Sequence, residues 1–326
     1  MTPPTTLPLA DLNHRIAALR PMLEQRLGEL LPRPADATDA IGLAMREGVL
    51  SPGKRIRPLM LLLTGQCLEV SPDDLMDAAC ALEMVHAASL FLDDLPCMDD
   101  ARERRGRPTL HLQFGEDVTM LAAVAVLSHA YRLVAVSPAL PPLVRAGMVD
   151  VLARAVGPQG LVRGQFRDLR PGHAPLEAAG VADTNQLKTG SLFSAAFEMA
   201  ALAGGADAQL QATLTQCAVE IGHAFQLKDD LDDSIVADGS PAGAEDDGKP
   251  TLVSLLGREA ATQRLDQHLA RAQGLLRQAF PHDEGLAQLV RAIARPARAA
   301  APARLEAIAT PVATARAARH GVPLQP

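Results

Sequence analysis

From Leu75 to Leu92 the sequence places apolar or small residues on nearly every face of a helix, then runs into Asp93-Asp94, Pro96 and Asp99. A helix that is apolar all round must be buried, so the rest of the chain has to wrap this segment. Leu75, Ala79, Leu82, Val85 and Ser89 share one helical stripe, and Leu214, Cys217, Ile221 and Phe225 share another. Strand-type alternation is almost absent. Abundant Ala and Leu favour helix, while Ser137-Pro138, Pro141-Pro142, Pro171-Gly172 and Gly204-Gly205 mark the breaks. The pattern predicts an all-α protein, a single bundle of about ten helices without internal repeats.

The 326 residues, 48% hydrophobic and 21% charged, supply enough apolar material for a large core. We expect one domain over 1–326. Residues 1–8, rich in Pro and Thr, and 295–326, biased to Ala, Arg and Pro, are expected to be peripheral. The net charge of -7 argues against nucleic acid or an anionic membrane as partner, so a polyanionic ligand would need a local basic cluster or a metal. Cys67, Cys80, Cys97 and Cys217 match neither a zinc spacing nor a disulfide framework, which fits a reduced, cytoplasmic chain. The first residues lack the basic start and apolar run of a signal peptide. Met120 to Val136 is interrupted by Ser128, His129 and Arg132 and is short for a bilayer span, so no membrane anchor is expected.

Carboxylates at the end of a buried helix are out of place. They face the negative end of the helix dipole, at a cost of ~0.3 to 1 kcal/mol each, and burial adds more. The same event recurs in EIGHAFQLKDDLDDSIV, where Asp229 and Asp233 stand one turn apart with Asp230 beside them. Oxygen ligands with no His or Cys nearby suit magnesium, which binds through few carboxylates plus substrate phosphates. The bland alternative, solvated surface acid, fits Asp73-Asp74 and Asp246-Asp247 but not two clusters that each close an apolar helix. From Asp233 to Lys249 the composition turns to Gly, Ala, Pro and acid, as in a mobile lid loop.

Cations are available for phosphate oxygens. SPGKRIRP places Lys54 and Arg57 three residues apart, so they are expected to share a helix face where both can converge on phosphate oxygens. RERRGRP sets Arg104 and Arg105 before a turn glycine, and Lys188-Thr189-Gly190 opens a mostly apolar helix. Any one of these alone would read as a solvated face. His86, seven residues before Asp93, shares its helix face two turns away, where a lone histidine is ordinarily a hydrogen-bonded core residue. Gln226 precedes Asp230 by one turn, and Gln165 with Asp168 forms another polar pair in an apolar helix. Such pairs serve equally as outer contacts to a metal site or as ordinary buried polar pairs.

The runs GKRIRP, ALEMVHAASLFLDDLPCMDD, RRGRPTLH, FGE, GLVRGQ, LKTGSLF, AFQLKDDLDD and GKPTLVSLLG fall in order from about residue 50 to 257. With them the sequence resembles the trans-prenyl diphosphate synthases, most closely the bacterial carotenoid-type geranylgeranyl diphosphate synthases. The resemblance implies the isoprenoid synthase fold, a homodimer, and about three magnesium ions per active site. It implies that Asp93 and Asp99 ligate metal with Asp94 in support, and that Asp229, Asp230 and Asp233 form the second acid motif. Lys54, Arg57, His86 and Arg105 match contacts to isopentenyl diphosphate, and Arg104, Lys188, Thr189 and Gln226 match contacts to an allylic diphosphate. The family's usual lysine after the second motif is missing near Ser240, whereas Lys249 is retained.

The implied chemistry is metal-assisted ionisation of the allylic diphosphate, attack by the alkene of isopentenyl diphosphate, and loss of a proton to the released diphosphate. The growing tail would lie along the helix that ends at Asp93. Ala88 and Ser89 are small there, whereas shorter-chain relatives carry an aromatic at the place of Ala88, so a twenty-carbon product is expected. Met84, Val85, Met120 and Leu121 are candidates for the cavity floor. A farnesyl diphosphate synthase is the nearest alternative. A class I terpene cyclase would line its cavity with aromatic faces, and this chain has no Trp, one Tyr and seven Phe. A non-catalytic helical protein would leave the acid clusters solvated.

Overall fold

The computed structural model describes residues 12–170, 178–237 and 251–294. The expectations for residues 1–8 and 295–326, for Asp246-Asp247, and for Ser240 and Lys249 in the loop lie outside the described residues. The chain runs through α1 (Leu12–Leu30), α2 (Ala40–Val49), α3 (Ile56–Cys67) and α4 (Pro72–Asp93) into a hairpin of β1 (Glu103–Arg104) and β2 (Arg107–Pro108). It continues through α5 (Leu110–Phe114), α6 (Glu116–Ala135), α7 (Pro142–Val156), α8 (Leu161–Leu169) and α9 (Ala178–Asn185). A π turn over Gln186–Gly190 leads into α10 (Ser191–Ala203). The series closes with α11 (Ala208–Ala237), α12 (Leu252–Leu256), α13 (Arg258–Ala279) and α14 (Gly285–Ile293). Fourteen α-helices among the described residues exceed the expected ten because single-turn pieces such as α5 and α12, each of five residues, have too few positions to show a period.

The segment that is apolar on every face becomes the central helix α4, packed by α1, α2, α3, α6 and α10. Leu75, Ala79, Cys80, Leu82, Met84, Val85 and Ala88 are all fully buried along it. Ser71 caps its start, its side chain accepting from the Asp73 amide, with Pro72 in the first turn. Asp73 and Asp74 are exposed in that first turn, as the surface reading expects, where the positive end of the dipole favours them. At the other end Asp94 caps the helix, and the Asp99 amide donates to the Asp93 carbonyl at 3.0 Å, folding the loop back over the helix tip.

A second, smaller apolar cluster joins α9, α11, α12 and α13 through Val181, Leu227, Leu231, Leu252, Ala261 and Leu265. At the far side Arg15 on α1 forms a buried 2.7 Å ion pair with Asp283, ahead of α14. Burial of both partners makes that link strong only while it is intact.

Two local expectations change. Helix α3 starts at Ile56, because Arg55 takes a left-handed conformation at φ 50°, so Lys54 lies before the helix and not on a face shared with Arg57. Helix α11 does not stop at its acid cluster but continues to Ala237. Ser234-Ile235-Val236-Ala237 contains no Gly or Pro to break it, and Lys228 offsets part of the repulsion by pairing with Asp229 at 3.0 Å and Asp232 at 2.7 Å.

Candidate active site

The tip of α4, the run before α3, the hairpin and the middle of α11 enclose a cavity of about 520 Å³. Asp93 and Asp229 border it together with Lys54, Arg57, His86, Arg104, Arg105, Lys188 and Thr189. Residues spread over more than half the chain therefore share one space, with carboxylates from two helices and cations from the start of α3 and the run before it, the hairpin and the π turn.

The geometry separates those residues into engaged and poised groups. Asp94 is buried and engaged, since Arg104 Nε donates to both its oxygens at 2.8 and 2.9 Å. That forked bond holds Arg104 charged against the pull of burial. Asp230 is engaged too, accepting from Gln226 Nε2 at 2.8 Å and from the Leu252 amide at 3.0 Å. It thus pins the chain at α12 back onto α11. Thr189 donates to Gln226 Oε1 at 3.2 Å, so Thr189, Gln226 and Asp230 form one line. Asp93, by contrast, is raised to about 6 by burial, with Asp99 and Asp94 adding to the rise and Lys188 opposing it. Burial raises Asp229 as well, against the pull of Lys228 and Lys54, and raises Asp233 with help from its acidic neighbours. These carboxyls lack enough positive charge, the condition under which a divalent ion is welcome.

No three carboxylate, imidazole or thiol groups among the described residues converge tightly enough to cage an ion on their own. An oxygen-only set split between two walls fits magnesium, which completes its shell with water and phosphate. Asp93, Asp99 and Asp229 are the residues that could hold it.

On the basic side, Arg57 stacks over the Phe193 ring at 4.8 Å and faces His86 Nε2 at 3.4 Å. Burial lowers Arg57 to about 10, with Glu83 and Asp229 opposing, yet leaves it charged at neutral pH. Burial and then Arg57 and Arg105 push His86 well below its ordinary value, so it is neutral and can accept from a guanidinium. Arg105 and Gly106, at φ 56° and 77°, form the two-residue turn of the hairpin. The Arg105 guanidinium is tethered to the Pro52 carbonyl at 2.7 Å. Lys188 is held at 2.7 Å by Asp168 and lies 3.9 Å from Asp99. Two glycines allow the π turn that carries Lys188 and Thr189. A side chain at Gly164 would strike the backbone of Leu187 and Lys188, and one at Gly222 would strike Gln186 and the Cα of Gly190.

A second cavity, of about 300 Å³ and almost wholly apolar, adjoins the first along α4, sharing Ser89, Asp93, Leu161 and Lys188 with it. Its other walls include Val85, Leu127, Val156 and Phe166. Ser89 and Val85 are where counting back from Asp93 places them. Ala88 is not: it is fully buried and borders neither cavity, since five residues turn it roughly 140° away from Asp93. Met84 is likewise core, while Met120 and Leu121 are 43% and 54% exposed on the outer face of α6 and form no floor.

Three contributors escaped sequence reading: Phe193 under Arg57, Lys228 between two aspartates, and Glu83, which is buried and pairs with Arg55 at 2.7 Å. Glu83 did leave a signal, a lone carboxylate inside an apolar helix, which implies a buried cation. By length and composition α4 and α6 could each cross a membrane, but α4 is the core helix, and α6 has one face packed on it.

A sequence model described as Polyprenyl synthetase matches residues 39–293. The chain belongs to the polyprenyl synthetase family. Within it, the chain is 47% identical over 272 residues to a geranylgeranyl diphosphate synthase of Pantoea ananas, covering 83% of this chain and 89% of that protein. It is 45% identical over 280 residues to a geranylgeranyl diphosphate synthase of Pseudescherichia vulneris, covering 85% and 91%. A crystal structure of an FPP/GFPP synthase from Zymomonas mobilis superimposes with a TM-score of 0.77 at 31% identity, over 87% of this chain and 97% of that one. The all-α architecture expected from the sequence is the family's fold.

Proposed function

We propose that this polyprenyl synthetase condenses isopentenyl diphosphate with an allylic diphosphate (dimethylallyl, geranyl or farnesyl) and that its main product is geranylgeranyl diphosphate. The observation that carries the reading is a single cavity bordered by both Asp93 and Asp229 together with Lys54, Arg57, Arg105 and Lys188, and adjoined by an apolar cavity along α4.

In this reading, Asp93, Asp99 and Asp229 would hold magnesium, which would supply positive charge against the negative charge that grows on the allylic diphosphate. Lys188, fixed by Asp168, and Arg104, fixed by Asp94, add positive charge on the same oxygens. Thr189 and Gln226 orient the same end of the substrate. The carbon–oxygen bond breaks with its electron pair leaving on the diphosphate. Lys54, Arg57, His86 and Arg105 hold isopentenyl diphosphate so that its alkene electrons form the new carbon–carbon bond. The proton lost from the adjacent carbon passes to a diphosphate oxygen. The tail lies past Ser89 and Val85. Asp94, Asp230 and Asp233 support the site from the sides, and Lys249 is assigned to the allylic diphosphate by family resemblance.

We propose further that the whole chain works as one catalytic domain and as a homodimer, paired through the outer face of α6. Supplying the purified chain with labelled isopentenyl diphosphate, each allylic primer and Mg²⁺ tests the reaction by chromatography of the extended product. A twenty-carbon diphosphate is expected. A fifteen-carbon end product would make it a farnesyl diphosphate synthase, hydrocarbon formed from geranylgeranyl diphosphate alone would make it a cyclase, and no product with any primer would remove the proposal.

A further inference from the structure

We infer that Lys228 is a positioning residue that occupies the second acid group in place of a metal, so that divalent ions bind there only when a diphosphate arrives with them. The inference rests on the proposed function and concerns a residue outside the substrate cavity. Lys228 is 9% exposed, with its ammonium 3.0 Å from Asp229 Oδ1 and 2.7 Å from Asp232 Oδ2. Its stem runs past Phe225, with the ammonium 5.9 Å from the ring centroid.

The surroundings give that ion pair its meaning. Four carboxylates fall within the five residues from Asp229 to Asp233. Both oxygens of Asp230 are taken by Gln226 and the Leu252 amide, which leaves Asp229 as the member of this group that borders the cavity. Lys228 holds this same Asp229 along with Asp232. A metal at Asp229 would sit close to a fixed ammonium, and two positive charges at such range repel strongly in a partly buried site. Without substrate the repulsion outweighs what one or two carboxylates offer. With a diphosphate present, its oxygens add ligands and negative charge, and the ion can displace Lys228 toward Asp232 alone. Metal uptake then follows substrate, which keeps the substrate-free site from trapping ions.

A merely structural lysine would leave metal affinity alone when replaced, and calorimetric titration of Mg²⁺ into substrate-free protein separates the two roles. Lys228→Gln should bind Mg²⁺ at least about fivefold more tightly than the parent, Lys228→Arg should match the parent, and added inorganic pyrophosphate should narrow the gap. Lys228→Met, which keeps the stem against Phe225, carries the same comparison if Lys228→Gln does not fold. Unchanged or weaker Mg²⁺ binding in the neutral variants would overturn the inference, as would failure of both to fold, since Lys228 would then be structural. If neither parent nor variant takes up Mg²⁺ with pyrophosphate present, it is the proposed function that fails.

Discussion

A carboxyl raised to about 6 keeps a proton at pH values where an ordinary aspartate has lost it. For Asp93 the native state therefore holds the extra proton between its ordinary value of 3.8 and about 6, and stability from this group falls as pH rises through that window. The full effect is about 3 kcal/mol by the usual conversion. In EDTA at pH 8, Asp93→Asn should accordingly be more stable than the parent, with the gap closing as pH drops toward 4. Thermal unfolding across that range measures it, and a gap independent of pH would mean that burial is not the cause. Magnesium added with inorganic pyrophosphate should reverse the order at pH 8, because only the carboxylate can use the ion. The residues that face the cavity were legible from spacing and chemistry: Asp93, Asp229, Arg57 and Lys188 all do so. Their partners were not. Nothing in the spacing tells that Arg104 reaches back to Asp94 or that the Leu252 amide lands on Asp230, because such bonds depend on where a loop returns.

Among the elements, α4 was the most legible, since an all-apolar segment with a capping Ser-Pro start and a Pro just past its end admits little else. Of the two small residues expected along the tail, Ser89 borders the apolar cavity and Ala88 lies on the far side in the core, while Val85, a floor candidate, lines the cavity wall. Ser89→Phe should fill the apolar cavity beside Asp93 and shift the product from twenty carbons to fifteen or fewer, with folding unaffected because Ser89 opens onto space. Unchanged product length would place the tail elsewhere. The π turn was illegible, because it is made by close approach of α8 and α11 and has no period of its own. Gly164→Ala tests that approach. Its methyl would push on the backbone of Leu187 and Lys188, costing about 1–3 kcal/mol as overpacking. Melting temperature should fall, and kcat should fall further than stability explains, because Lys188 and Thr189 move with the turn.

For the molecule as a whole, the unresolved demand is the outer face of α6. Met120, Leu121 and Val124 are 43%, 54% and 64% exposed, with the neighbours Met120 and Leu121 one turn before Val124 on a helix whose other side packs on α4 and α2. A stripe of this kind needs cover. Its polar interruptions at Ser128, His129 and Arg132, with His129 bonded at 2.8 Å to the Leu30 carbonyl, fit a protein neighbour better than lipid tails. The homodimer proposed above supplies that cover by pairing the stripe with its own copy, an arrangement that twofold symmetry allows. Val124→Glu would bury a charge without a partner at such an interface, so sedimentation velocity should show the mass falling from two chains to one. Leu127, three residues on, borders the apolar cavity, so loss of the partner should also loosen the wall where the tail lies. The monomer should therefore lose turnover while Mg²⁺ and pyrophosphate still bind. A Val124→Glu protein that remains dimeric would move the interface off α6, and a monomer with full turnover would cut the link between pairing and the tail cavity.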